Sequence, residues 1–131
     1  MVGFGCEKSN EKDADLLKIN WTLSYIQDTK TNKITNYPSD ASRKISIVFT
    51  DSLSVISFNG ICNGGEGTYS YSSSTGAIKI SGIVTTKIYC KYAEWEGYAG
   101  QNLYDAFRYK IYGNNLVIYS KGAYNLYFTE N

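Results

Sequence analysis

The chain has 131 residues, 43% of them hydrophobic, with 13 tyrosines, five phenylalanines and two tryptophans, which suits one domain with a buried core and excludes a disordered chain. Thirteen Lys and Arg against 12 Asp and Glu leave a net charge of +1, so no long-range field selects nucleic acid or an anionic membrane. Histidine is absent, which removes the commonest general base, the commonest transition-metal ligand and every Ser/His or Cys/His nucleophile pair.

The first residues, Val2-Gly3-Phe4-Gly5-Cys6, place small side chains just before a cysteine, and the polar run Glu7 to Asp15 follows. A bacterial lipoprotein signal ends this way, because its processing needs small residues near the cleaved bond and the new terminal cysteine carries the lipid. Cys6 is therefore the expected lipid-attachment residue. The alternative is an ordinary terminus with an incidental cysteine. Residues 1–16 are expected to be a signal remnant and flexible tether, and residues 17–131 one domain. No stretch approaches the roughly 18 apolar residues of a membrane helix.

Trp21, Leu23 and Tyr25 alternate with Thr22 and Ser24, the pattern of a half-buried strand. Asp28 to Ala41 is polar, holds the single proline, Pro38, and is expected to be a solvated loop; its acidic residues miss the spacing of a calcium loop. Ile45, Ile47 and Phe49, then Leu53 to Phe58, predict a hairpin turning at Asp51-Ser52. Gly60, Gly64, Gly65 and Gly67 surround Cys62 and predict a sharp turn that uses positive φ and a close backbone approach. Thr68 to Ser72 and Ala77 to Ser81 read as strands about a turn at Ser73–Gly76. Ala93 to Phe107 is the one segment with helical spacing, through Trp95, Tyr98, Ala99, Asn102, Leu103 and Ala106, although Gly97 and Gly100 weaken it. Arg108 to Tyr112, Leu116 to Ser120 and Ala123 to Phe128 complete a meander. The sum is a mainly β fold: about eight antiparallel strands in a curled sheet or partial barrel, with one helix packed on it.

Cys62 and Cys90 lie 28 positions apart, with no Cys-x-x-Cys spacing and no histidine to complete a zinc site, so no metal is expected. In an exported protein the pair most simply forms a disulfide, stabilising by about 3 kcal/mol. In a cytosolic protein both would be buried thiols. Glu94 and Glu96 read as solvated charge, the alternative being a carboxylate pair for glycoside hydrolysis. Nine tyrosines crowd the stretch from Tyr89 to Tyr127, more than one small core buries with every hydroxyl bonded, so some are expected to face outward as a recognition surface or as rim.

The order of these residues resembles the META domain family. It is carried by Trp21 in strand one, by Gly60-Ile61-Cys62-Asn63 before Gly67-Thr68-Tyr69, and by Thr85-Thr86-Lys87-Ile88-Tyr89-Cys90. Glu94 or Glu96 ahead of Leu103, Tyr109-Lys110-Ile111 with Leu116, and Leu126-Tyr127-Phe128 extend it over roughly Leu17 to Phe128. The family pattern usually runs Gly-Cys-Asn; here Ile61 intervenes. The resemblance marks Trp21, Gly60, Asn63, Gly67, Tyr69, Thr85 and Thr86 as motif residues that maintain the fold, since glycines, threonines and a disulfide supply no general acid or base. It implies a role in envelope stress tolerance without defined chemistry. The resulting expectation is a non-enzymatic domain of a lipoprotein in the bacterial cell envelope. It is expected to be monomeric, to take no cofactor, and to bind an envelope protein or a small ligand but not nucleic acid. The runner-up is a lipocalin-like carrier of a small apolar ligand.

Overall fold

Apolar side chains at every second position force the strands to share one inner face, and that requirement organises the computed structural model, which describes residues 16–51 and 53–130. The strands are β1 (Trp21–Asp28), β2 (Ile34–Asn36), β3 (Ser46–Phe49), β4 (Val55–Asn59), β5 (Gly64–Tyr71) and β6 (Ile78–Thr85), followed by helix α1 (Glu94–Tyr104) and by β7 (Ala106–Tyr112), β8 (Asn115–Ser120) and β9 (Tyr124–Glu130). Eight of them form one antiparallel sheet in the order β6-β5-β4-β3-β1-β9-β8-β7, and β2 pairs with β1 alone. The sheet curls until its two edge strands meet at one end, where Ala77 bridges Arg108 and the Tyr109 amide donates to the Gly76 carbonyl at 2.8 Å. Beyond that contact the edges part, and α1 packs on β6, β8 and β9.

Trp21, Ile45, Ile47, Phe49, Ile78, Ile80, Leu116, Ile118, Leu126 and Phe128 form one buried cluster, as their alternation predicts. Trp21, Phe49 and Phe128 are among its largest fully buried side chains, so the inside of the curl is occupied by protein where a lipocalin-like carrier keeps a ligand. Leu16 is also fully buried, and its carbonyl accepts the Trp21 Nε1 hydrogen at 3.2 Å, so the packed domain includes a residue that the sequence assigns to the tether. The rest of that tether, with Cys6, lies outside the described residues.

Four expectations are corrected. A β-bulge between Leu23 and Tyr25 shifts the alternation in β1, putting Ile26 in the core and Tyr25 on the outer face. The solvated segment after Asp28 contains the short strand β2. Its hairpin is closed by Asp28 Oδ1, which accepts the Lys30 and Thr31 amides at 2.8 and 3.0 Å, and by Asn32 at φ 65°. The β3–β4 turn continues through Leu53 and Ser54, both at φ 56°, so β4 starts at Val55. The helix stops at Tyr104, because Ala106 already pairs with Ser120 in the sheet.

Candidate functional site

The glycine-rich stretch divides into a short turn and a strand. The Gly60 amide donates to the Asn63 carbonyl at 2.8 Å, closing the turn, and Gly64 to Gly67 then run inside β5. None of these glycines has positive φ; close approach is their function. A Cβ on Gly65 would collide with the Val84 carbonyl, and one on Gly67 would come within 2.7 Å of the Ser81 carbonyl. A Cβ on Gly60 would strike the Glu96 carboxylate. These contacts allow β6 to lie against β5 through a bulge at Gly82, which has φ 62°.

Asn63, 8% exposed, is the hub. Its Nδ2 donates to the Ile88 carbonyl at 2.7 Å and to Glu96 Oε1 at 2.8 Å. Its Oδ1 accepts the Ile88 amide at 2.8 Å and the Thr86 hydroxyl at 2.5 Å. The carboxamide thus pairs with both backbone groups of Ile88, as a neighbouring strand would. The Cys62–Cys90 disulfide, with Cα atoms 6.2 Å apart, fixes the same segment two residues further on. Thr85 ends β6 opposite Gly65. Trp21 and Tyr69 lie in the core, where the Tyr69 hydroxyl donates to the Thr50 carbonyl and its ring meets Phe49 edge-on at 5.0 Å.

Glu96 departs from the solvated-charge expectation, whereas Glu94 meets it by being exposed. Glu96 Oε2 accepts the amides of Cys62 at 2.7 Å and Asn63 at 3.0 Å, while Oε1 accepts Asn63 Nδ2. Burial alone would raise its pKa, but the hydrogen bonds from Asn63, Cys62 and Ile61 together outweigh it and hold the carboxyl below its usual 4.5. Tyr37, packed edge-on against Trp95 at 5.2 Å, is pushed up to about 12 by burial, with the Glu96 charge adding to the rise against a backbone hydrogen bond at Ile45. Sequence reasoning also left Asn102 as one more residue of the helical face. It is 2% exposed, and its Oδ1 accepts the Ser120 hydroxyl at 2.8 Å and the Tyr124 amide at 3.1 Å, tying α1 to β8 and β9.

With the Thr86–Cys90 segment pinned, a groove of about 570 Å³ opens between it and α1. Phe58 and Ile80 lie at its base; Ile83, Thr86 and Ile88 line one side, and Gly97, Gly100 and Tyr104 the other. Nothing lies within 4 Å of where a Cβ on either helical glycine would sit, so both keep the groove wide. Among the described residues no cluster of three or more potential metal ligands occurs, and no helix is long and apolar enough to cross a membrane.

The fold has solved counterparts. A protein from Burkholderia xenovorans, known by NMR, superposes with a TM-score of 0.75 at 17% identity, over 92% of this chain and 87% of its own. A DUF4847 family protein from Bacteroides vulgatus superposes with a TM-score of 0.67 at 15% identity, over 92% of this chain and 97% of its own. No curated protein matches the sequence. The META domain profile matches residues 14–131, the span that contains the Asn63–Glu96 hub, the disulfide and the groove, and the chain belongs to the META domain family.

Proposed function

We propose that this META domain is a non-enzymatic binding module of the bacterial cell envelope, acting as a monomer and held at a membrane by a lipid on Cys6. Its groove between α1 and the Thr86–Cys90 segment receives a small ligand or a segment of an envelope protein. One observation carries this reading: Glu96, the carboxylate lining the groove, commits both oxygens to structural hydrogen bonds and is not free to act as an acid or base, while Phe58, Ile80, Ile83 and Ile88 give the groove apolar surface. The Cys62–Cys90 disulfide supports an oxidising compartment. The same compartment leaves the domain without access to nucleic acid.

The test places a photo-crosslinking amino acid at Gly97 in the full-length protein in intact cells, with a second version carrying it at exposed Lys33 as control. A discrete adduct from position 97 and none from position 33 is expected. Absence of any adduct at 97 contradicts a binding role for the groove. In parallel, Cys6→Ser should move the protein from the membrane to the soluble envelope fraction; retention in the membrane contradicts the anchor.

A further inference from the structure

On the side of the sheet away from the core, the strand registers align outward residues in rows. One row comprises the pairs Arg108–Tyr119 and Asn125–Gln27, and the next runs Lys110, Val117, Tyr127, Tyr25 across β7, β8, β9 and β1. Neither row contains Asp or Glu. Val117 is only 1% exposed although it stands outside the core cluster, so neighbours on this outer face must shield it. Tyr25 and Tyr127 stack at 4.4 Å between ring centroids with 14° between planes, and the Tyr127 hydroxyl donates to Gln27 Oε1 at 3.0 Å. At the β7 edge, the bulge between Ala106 and Arg108 turns Phe107 outward to 42% exposure. Phe107, Arg108, Lys110 and Tyr119 line a second groove of about 410 Å³, and Lys121 Nζ lies 5.8 Å from the Phe107 ring centroid. Arg108, Lys110 and Lys121 make no ion pair among the described residues.

We propose that this outer face binds an anionic polysaccharide, its sugar rings lying against Phe107, Tyr119 and the Tyr25–Tyr127 pair and its acidic groups meeting Arg108, Lys110 and Lys121. The charge is complementary: three cations are gathered on a face whose rows hold no carboxylate, in a protein whose net charge is only +1. The aromatic track continues from the edge groove across four strands, a length that suits a chain more than a single small molecule. Gln27, Asn125 and the tyrosine hydroxyls add donors and acceptors between the rings, matching a ligand rich in hydroxyls. The choice of a glycan over single-stranded nucleic acid, which also uses cations and aromatics, rests on the envelope reading above.

The experiment titrates the full chain with dextran sulfate, uncharged dextran and a twelve-residue oligo-dT. Dextran sulfate should bind with an affinity that falls as salt rises, and dextran should bind far more weakly. Arg108→Glu with Lys110→Glu should weaken dextran sulfate binding by roughly tenfold or more, whereas Lys30→Glu with Lys33→Glu, the same change of net charge on the β1–β2 hairpin, should leave it within about twofold. Phe107→Ala should weaken it with little change in salt dependence. Equal losses in the two charge-reversed proteins overturn the site, and oligo-dT binding as tightly as dextran sulfate overturns the glycan assignment. Membrane fractionation reports separately on the envelope reading, so a failure of either is recognised without the other.

Discussion

Asn63 and Glu96 form a paired unit whose members depend on each other. Replacing Asn63 with Ala leaves the Ile88 amide and carbonyl, the Thr86 hydroxyl and one Glu96 oxygen without their partner, and is expected to cost about 3 kcal/mol by chemical denaturation. Glu96→Gln should lower the melting temperature at pH 7. Because the folded pKa of Glu96 is depressed, its stabilisation is present above the unfolded value of 4.5 and is lost as pH falls through the lower folded value. The melting difference between the native protein and Glu96→Gln should therefore shrink as the solution is taken below pH 4.5; a constant difference from pH 7 to pH 3 contradicts a charged, hydrogen-bonded Glu96. The sequence marks Asn63 as a motif residue but does not name its partners. Its real partners lie 23 to 33 residues away in the chain, a separation that local spacing does not encode.

At the scale of elements, alternation makes the strands legible because each has one dry face, so Ile45, Ile47 and Phe49, Ile78 and Ile80, and Leu126 and Phe128 could be placed on the core side in advance. The bulge in β1 was invisible, since Trp21, Leu23 and Tyr25 alternate without a break in the sequence and only pairing with β9 inserts the extra residue. The groove was equally hidden, because it depends on where α1 settles after the disulfide and Asn63 have fixed Thr86–Cys90. The glycines separate into two kinds with opposite predicted responses. Gly97→Ala and Gly100→Ala have open space around the new methyl group and should each raise stability by about 1 kcal/mol. Gly65→Ala meets the Val84 carbonyl and should cost about 2 kcal/mol, while also perturbing the β5–β6 amide resonances. Stabilisation by Gly65→Ala would mean that β5 and β6 are not packed this closely.

Among the described residues the molecule is a curled sheet whose interior is filled by its own side chains, with one recess against α1 and another beyond β7. The fold class was readable from sequence because periodicity, turn residues and the META-like motifs all pointed to the same architecture. Ligand chemistry was not, because it resides in surfaces assembled from residues distant in the chain. Cys62→Ser with Cys90→Ser should lower stability by about 3 kcal/mol and lose the slow exchange of the Ile88 amide, since the disulfide and Asn63 hold one segment together.

The envelope reading is a proposal that depends on a groove wall held by an oxidised Cys62–Cys90 pair. Its most direct test is the state of those two cysteines in living cells, read by rapid acid quenching and mass-tagging of free thiols on the full-length protein. Cys62 and Cys90 should be untagged without prior reduction and both tagged after it. Two freely tagged thiols at Cys62 and Cys90 in unreduced samples would contradict the oxidising compartment, and with it the envelope function proposed for this domain.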